Sequence, residues 1–131
     1  MNVREAATAV RDRLLEEHGD DVLAVGWYDG EHESRTGSVY LDEFDEYAGE
    51  SGYGTLESAL LESIGHGAYT DIHDERLTTT VRLYETVADI DLHLDDLRGV
   101  VVAVRLDSSL HITDVRQYAR DAISEPLGVI E

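Results

Sequence analysis

Apolar residues recur along this chain at two different periods, and the changes of period mark its elements. Val3, Ala7, Val10 and Leu14 fall at i, i+4, i+7 and i+11, a single stripe that predicts a helix over Val3–His18. Asn2, with Glu5 three residues later, has the form of a capping box, and Gly19 is a natural stop. Val22–Tyr28 (VLAVGWY) reads as a short, mostly apolar strand, and Ser38–Leu41 (SVYL) as its return partner. The polar loop between them, Asp29 to Gly37, is longer than a two-residue hairpin turn. Residues 42–54 are acidic and broken by glycines. Leu56, Ala59, Leu60 and Ile64 then restore helical spacing, with Thr55 as the cap.

The long run Leu77–Leu106 carries strand composition. Leu77, Val81, Leu83 and Val87 alternate with Thr78, Thr80, Arg82 and Tyr84. Ile90, Leu92 and Leu94 then alternate with Asp89, Asp91 and His93. Val100, Val102, Val104 and Leu106 share one face of a third strand, while Val101 and Ala103 make its other face apolar too, as in a central strand or one covered on both sides. A last helix is predicted from Ile112, Val115, Ala119, Ala122 and Ile123, capped at Ser108, Ser109 or Thr113 and ended by Pro126. The order is helix-strand-strand-helix-strand-strand-strand-helix. It predicts an α+β fold, a five-stranded antiparallel sheet flanked by helices, in one domain spanning residues 1–131.

Charge changes the picture of the surface. The chain holds 29 Asp and Glu against 10 basic residues, all of them Arg, for a net charge of -19. These acids are interleaved with the apolar stripes, so they belong to a folded, acidic surface. In molar salt the Debye length shrinks to roughly 3 Å, and repulsion between such carboxylates is screened. An acid-rich, lysine-free composition therefore points to the cytoplasm of an extreme halophile. The scattered arginines argue against nucleic acid, which needs clustered positive charge. No apolar run reaches the length of a membrane span, and the absence of cysteine excludes disulfides and thiolate metal sites.

Candidate chemistry is sparse. His66, Asp71 and His73, with Asp74 beside them, form the densest ligand-type cluster. Two imidazoles and a carboxylate suit zinc or iron(II), so a divalent metal is the one cofactor the sequence offers; the competing reading is a solvated acidic loop, with no cofactor. Asp89, Asp91, His93, Asp95 and Asp96 form a second group suited to a hard cation. Their simpler reading is a solvent-facing edge strand, which charged side chains protect from unwanted pairing. Gly52-Tyr53-Gly54-Thr55 reads as a turn and cap, and no nucleophile stands in a recognisable catalytic order.

The element order resembles the profilin-like folds, most nearly the roadblock and longin arrangement, across nearly the whole chain. VLAVGWYD, LTTTVRLYE and ITDVRQYARDAI are also similar in placement to a group of uncharacterised halophilic archaeal proteins, which carries no activity over. The roadblock likeness implies a small adaptor that dimerises and binds a Ras-like GTPase or cytoskeletal partner. Together these readings predict a non-catalytic interaction or regulatory domain, a homodimer with a protein partner. The alternative is a metal-binding protein or metal-dependent enzyme using His66, Asp71 and His73.

Overall fold

In the computed structural model, residues 2–31, 35–41, 74–75, 77–95, 97–106 and 111–122 are described. Helix α1 spans Val3–His18, as its stripe requires. The Asn2 side chain accepts from the Glu5 amide at 2.8 Å and the Glu5 carboxylate reaches back to the Asn2 amide at 3.4 Å, so both halves of the capping box form. Gly19 follows the helix in a right-handed conformation, φ -53°. A left-handed turn is therefore not what ends this helix.

Strands β1 (Val22–Asp29), β2 (Arg35–Leu41), β3 (Thr79–Leu83), β4 (Val87–His93) and β5 (Arg98–Arg105) form one sheet in the order β2-β1-β5-β4-β3. Every neighbouring pair is antiparallel. Helix α2 spans Ile112–Ala122. It opens after His111, whose carbonyl accepts from the Asp114 and Val115 amides, so Thr113 lies inside the helix rather than at its cap. The fold is α+β, with the five-stranded antiparallel sheet expected from the element order. The stretch read as a helix at Leu56–Ile64 lies outside the described residues.

Three expectations need correction. Strand β2 begins at Arg35, three residues earlier than its composition suggested, because Gly37 belongs to the ladder opposite Trp27. A Cβ at Gly37 would stand 2.7 Å from the indole, so the glycine makes room for the ring instead of ending a loop. The run Leu77–Val87 is not a single strand. It turns at Tyr84–Thr86, where the Tyr84 amide donates to the Val87 carbonyl at 2.8 Å, and Val87 already belongs to β4. Finally, β4 is no solvent-facing edge. It lies between β5 and β3, and Asp89, Asp91 and His93 are all buried.

The two faces of the sheet follow from strand alternation. One face carries Val22 and Val25 of β1, Val100, Val102 and Val104 of β5, and Ala88, Ile90 and Leu92 of β4. These pack with Ala7, Val10 and Leu14 of α1 and Val115 and Ala119 of α2 as a single apolar core. The helices meet where the His18 Nε2 and the Tyr118 hydroxyl lie 3.1 Å apart and the Arg13 guanidinium sits 5.4 Å over the Tyr118 ring. The other face carries Tyr28, Gly99, Val101, Ala103, Asp89, Asp91 and His93, and it too is buried.

Candidate functional site: a buried polar network on the second sheet face

Register brings the parts of this site together. Tyr28 of β1 and His93 of β4 both pair with Gly99 of β5, from opposite sides. Gly99 has no side chain, so the Tyr28 ring crosses over β5 and reaches β4. A Cβ at Gly99 would lie 2.5 Å from Tyr28 Cζ and 2.8 Å from the Leu92 carbonyl oxygen. The crossing therefore depends on glycine for space, not for its backbone freedom.

The Tyr28 hydroxyl donates to Asp91 Oδ1 at 2.9 Å and lies 3.1 Å from His93 Nδ1. Asp91 Oδ1 and His93 Nδ1 are 3.4 Å apart, and His93 Nε2 is 2.8 Å from the Thr80 hydroxyl of β3. One hydroxyl carries one proton. Since Tyr28 gives its proton to Asp91, the contact with His93 requires a hydrogen on Nδ1. Four side chains from three strands thus share one polar chain inside the protein.

Burial sets the electrostatics. Desolvation, followed by the nearby charge of Asp91 and the hydrogen bond to it, pushes the Tyr28 phenol far above its ordinary pKa. It remains a proton donor at any ordinary pH. Desolvation also raises Asp91, to about 7. The hydrogen bond from Tyr28 and the positive charge of Arg82 oppose that rise without cancelling it. The network therefore holds a proton that is gained and lost near neutrality. Tyr28, Asp91 and His93 are 0%, 2% and 6% exposed, so this titrating proton lies within the fold.

Asp95 takes a different part from the cation ligand considered from sequence. Its Oδ1 accepts from the Leu97 and Arg98 amides at 3.1 and 2.9 Å, which shapes the β4–β5 turn. Its Oδ2 binds Arg98 Nε at 2.6 Å and Nη2 at 2.5 Å. Burial disfavours the Arg98 charge, but the hydrogen bond and charge of Asp95, with the charges of Glu31 and Asp29, outweigh it and raise the Arg98 pKa. Among the described residues no three His, Asp or Glu side chains converge as a metal site. His66, Asp71 and His73 lie outside the described residues, as do Asp96 and Gly52–Thr55. Among the described residues no helix is long and apolar enough to cross a membrane.

Sequence reasoning missed the Tyr28–Asp91–His93–Thr80 network, although one signal pointed to it. Val101 and Ala103 make the second face of β5 apolar, so that face is covered. A neighbouring strand paired with β5 is covered with it, and the alternate residues Asp89, Asp91 and His93 follow.

No family model and no curated sequence matches the chain. Among solved structures, the crystal structure of MglC from Myxococcus xanthus is similar, with 15% sequence identity and a TM-score of 0.50 over 87% of this chain and 92% of that one. At that identity the likeness concerns the fold, which is roadblock-like.

Proposed function

We propose that the protein is a non-catalytic interaction or regulatory module that works as a homodimer joined at the β3 end of its sheet. The observation that carries this reading is an apolar surface at a sheet edge. Leu83, Tyr84 and Leu106 are 67%, 52% and 43% exposed. Leu83 ends β3 and Tyr84 follows it, and the Leu106 backbone meets their turn, its amide donating to the Thr86 carbonyl at 3.0 Å. Strand β3 closes one end of the strand order, and end strands offer backbone groups to another chain. A second copy related by a two-fold axis pairs β3 with β3 antiparallel and covers the three apolar side chains on both molecules.

The roadblock-like fold and the burial of the polar network support a binding module over an enzyme. A Ras-like GTPase is the partner class the roadblock resemblance implies. The setting we propose is the cytoplasm of a halophilic archaeon, on the strength of 29 acids, 10 arginines and no lysine. There, screening lets two copies of a chain with charge -19 approach each other.

Light scattering in molar KCl tests the reading. A dimer is expected, and Leu83→Asp is expected to give a monomer with an unchanged far-UV spectrum. A monomeric native protein, or a dimer that survives Leu83→Asp, overturns it. Circular dichroism in dilute buffer tests the setting: the signal is expected to decay as salt is removed, and an unchanged spectrum counts against a halophilic origin.

A further inference from the structure

A second site lies on the helix-covered face, where α2 meets the ends of β3 and β4. An open groove of about 310 Å³ runs there, lined among others by Leu92, Leu94 and Ala119 and by Thr79, Arg116 and Arg120. We propose that this groove binds a small organic oxyanion, a phosphate monoester or a carboxylate with an apolar body.

Three observations carry the proposal. The first is charge. Acids outnumber bases 29 to 10 in this chain, yet among the described residues no carboxylate lines the groove, and two of the ten arginines do. Arg116 and Arg120 are one helical turn apart, so their guanidinium groups reach the same space. Both are exposed. Neither makes an ion pair or a hydrogen bond among the described residues. The macrodipole accounts for Arg120, in the last turn of α2, but not for Arg116, a turn earlier. Guanidinium groups of this kind grip planar or tetrahedral oxyanions through paired hydrogen bonds.

The second observation is an unmet hydroxyl. Among the described residues the buried Thr79 Oγ1 has no hydrogen-bond partner. Thr79 pairs with Leu92 across the ladder, which places it on the groove's face of the sheet. A buried hydroxyl without a partner costs free energy, and a ligand oxygen supplies the missing bond.

The third observation is shape. Leu92 and Ala119 are almost wholly buried and give the groove an apolar wall beside its cationic rim. Its volume lies at the small end of the range for small-molecule sites, which begins at roughly 300 Å³. A cationic rim beside an apolar wall matches a ligand with one anionic head and a compact apolar body.

Phenyl phosphate and inorganic phosphate serve as probes, titrated at constant ionic strength in KCl at a concentration that keeps the fold intact, with NMR of the arginine Nε–Hε groups and of the Thr79 and Ala119 amides. Phenyl phosphate is expected to shift these signals saturably. Its affinity is expected to fall at least about ten-fold in the double variant Arg116→Gln, Arg120→Gln and about five-fold in Thr79→Val, the loss of one neutral hydrogen bond. Arg4→Gln, on α1, is expected to leave it unchanged. Both groove arginines are exposed, and Gln keeps their helix propensity, so the double variant keeps its fold and remains informative. No saturable shift, equal affinity in the double variant, or equal affinity for inorganic phosphate overturns the proposal.

Discussion

The two faces of the same sheet are buried by opposite means. On the helix-covered face, Ile90, Val102 and Val25 meet Val10 and Leu14 in an apolar core, stabilised by removal of apolar area from water. One residue along in each strand, the second face buries Asp91, His93 and Tyr28, whose desolvation is costly unless every group finds a partner. The first face tolerates any side chain of suitable shape. The second tolerates only a chain of partners in the right register, so it specifies how β1, β5, β4 and β3 align more strictly than the core does.

The largest effect expected belongs to the apolar face. Ile90→Ala removes a fully buried side chain and is expected to cost about 2–5 kcal/mol in denaturant unfolding. A loss below that range means the site collapses around the cavity.

Next comes protonation of Asp91. Its folded pKa of about 7 stands above an unfolded value of about 3.9. Between those limits the folded chain holds a proton that the unfolded chain has released. Stability is therefore expected to rise as pH falls from about 7 towards 4, with the penalty fully present above 7. The full effect is on the order of a few kcal/mol. Asp91→Asn cannot ionise, so the stability difference between it and the native protein isolates this group from the other acids. That difference is expected to change across the window. Parallel curves sink the assignment.

Gly99→Ala tests the crossing of Tyr28 over β5. The added methyl overlaps the phenol ring and crowds the Leu92 carbonyl. A loss of about 1–3 kcal/mol is expected from overpacking. In a Tyr28→Ala background the loss is expected to shrink, because the two residues are in contact. Simple additivity shows that the ring does not need the glycine.

The smallest effect is Thr80→Val, which removes the hydroxyl at His93 Nε2 while keeping the shape. About 1 kcal/mol is expected. A neutral result means His93 is satisfied without β3, and the network ends at β4.

Much of this architecture is written in periodicity. The stripe Val3, Ala7, Val10, Leu14 and the cap at Asn2 define α1 to the residue, since a helix closes its own hydrogen bonds and a cap acts locally. The existence of five strands is equally legible, whereas their order in the sheet, β2-β1-β5-β4-β3, is not. Their limits are less so. Gly37 and Gly99 look like turn residues in a one-dimensional reading, but both lie inside strands under a large aromatic ring. The error at β4 has the same root. Alternating Asp and Ile is the pattern of a half-exposed strand, and a buried carboxylate shows the same letters as an exposed one.

The chain's own order of residues therefore determined which segments are helix and strand, which face of each is apolar, and that the surface is strongly acidic. These depend on neighbours within a few positions and on side-chain type. Tertiary structure alone decided that Tyr28 meets Asp91 and His93, residues 63 and 65 positions away, and that Arg116 and Arg120 face a groove floored by β4. Such meetings are fixed by strand order and register. Those in turn depend on the sum of all cross-strand contacts, a property of the assembled sheet that no single stretch of sequence carries.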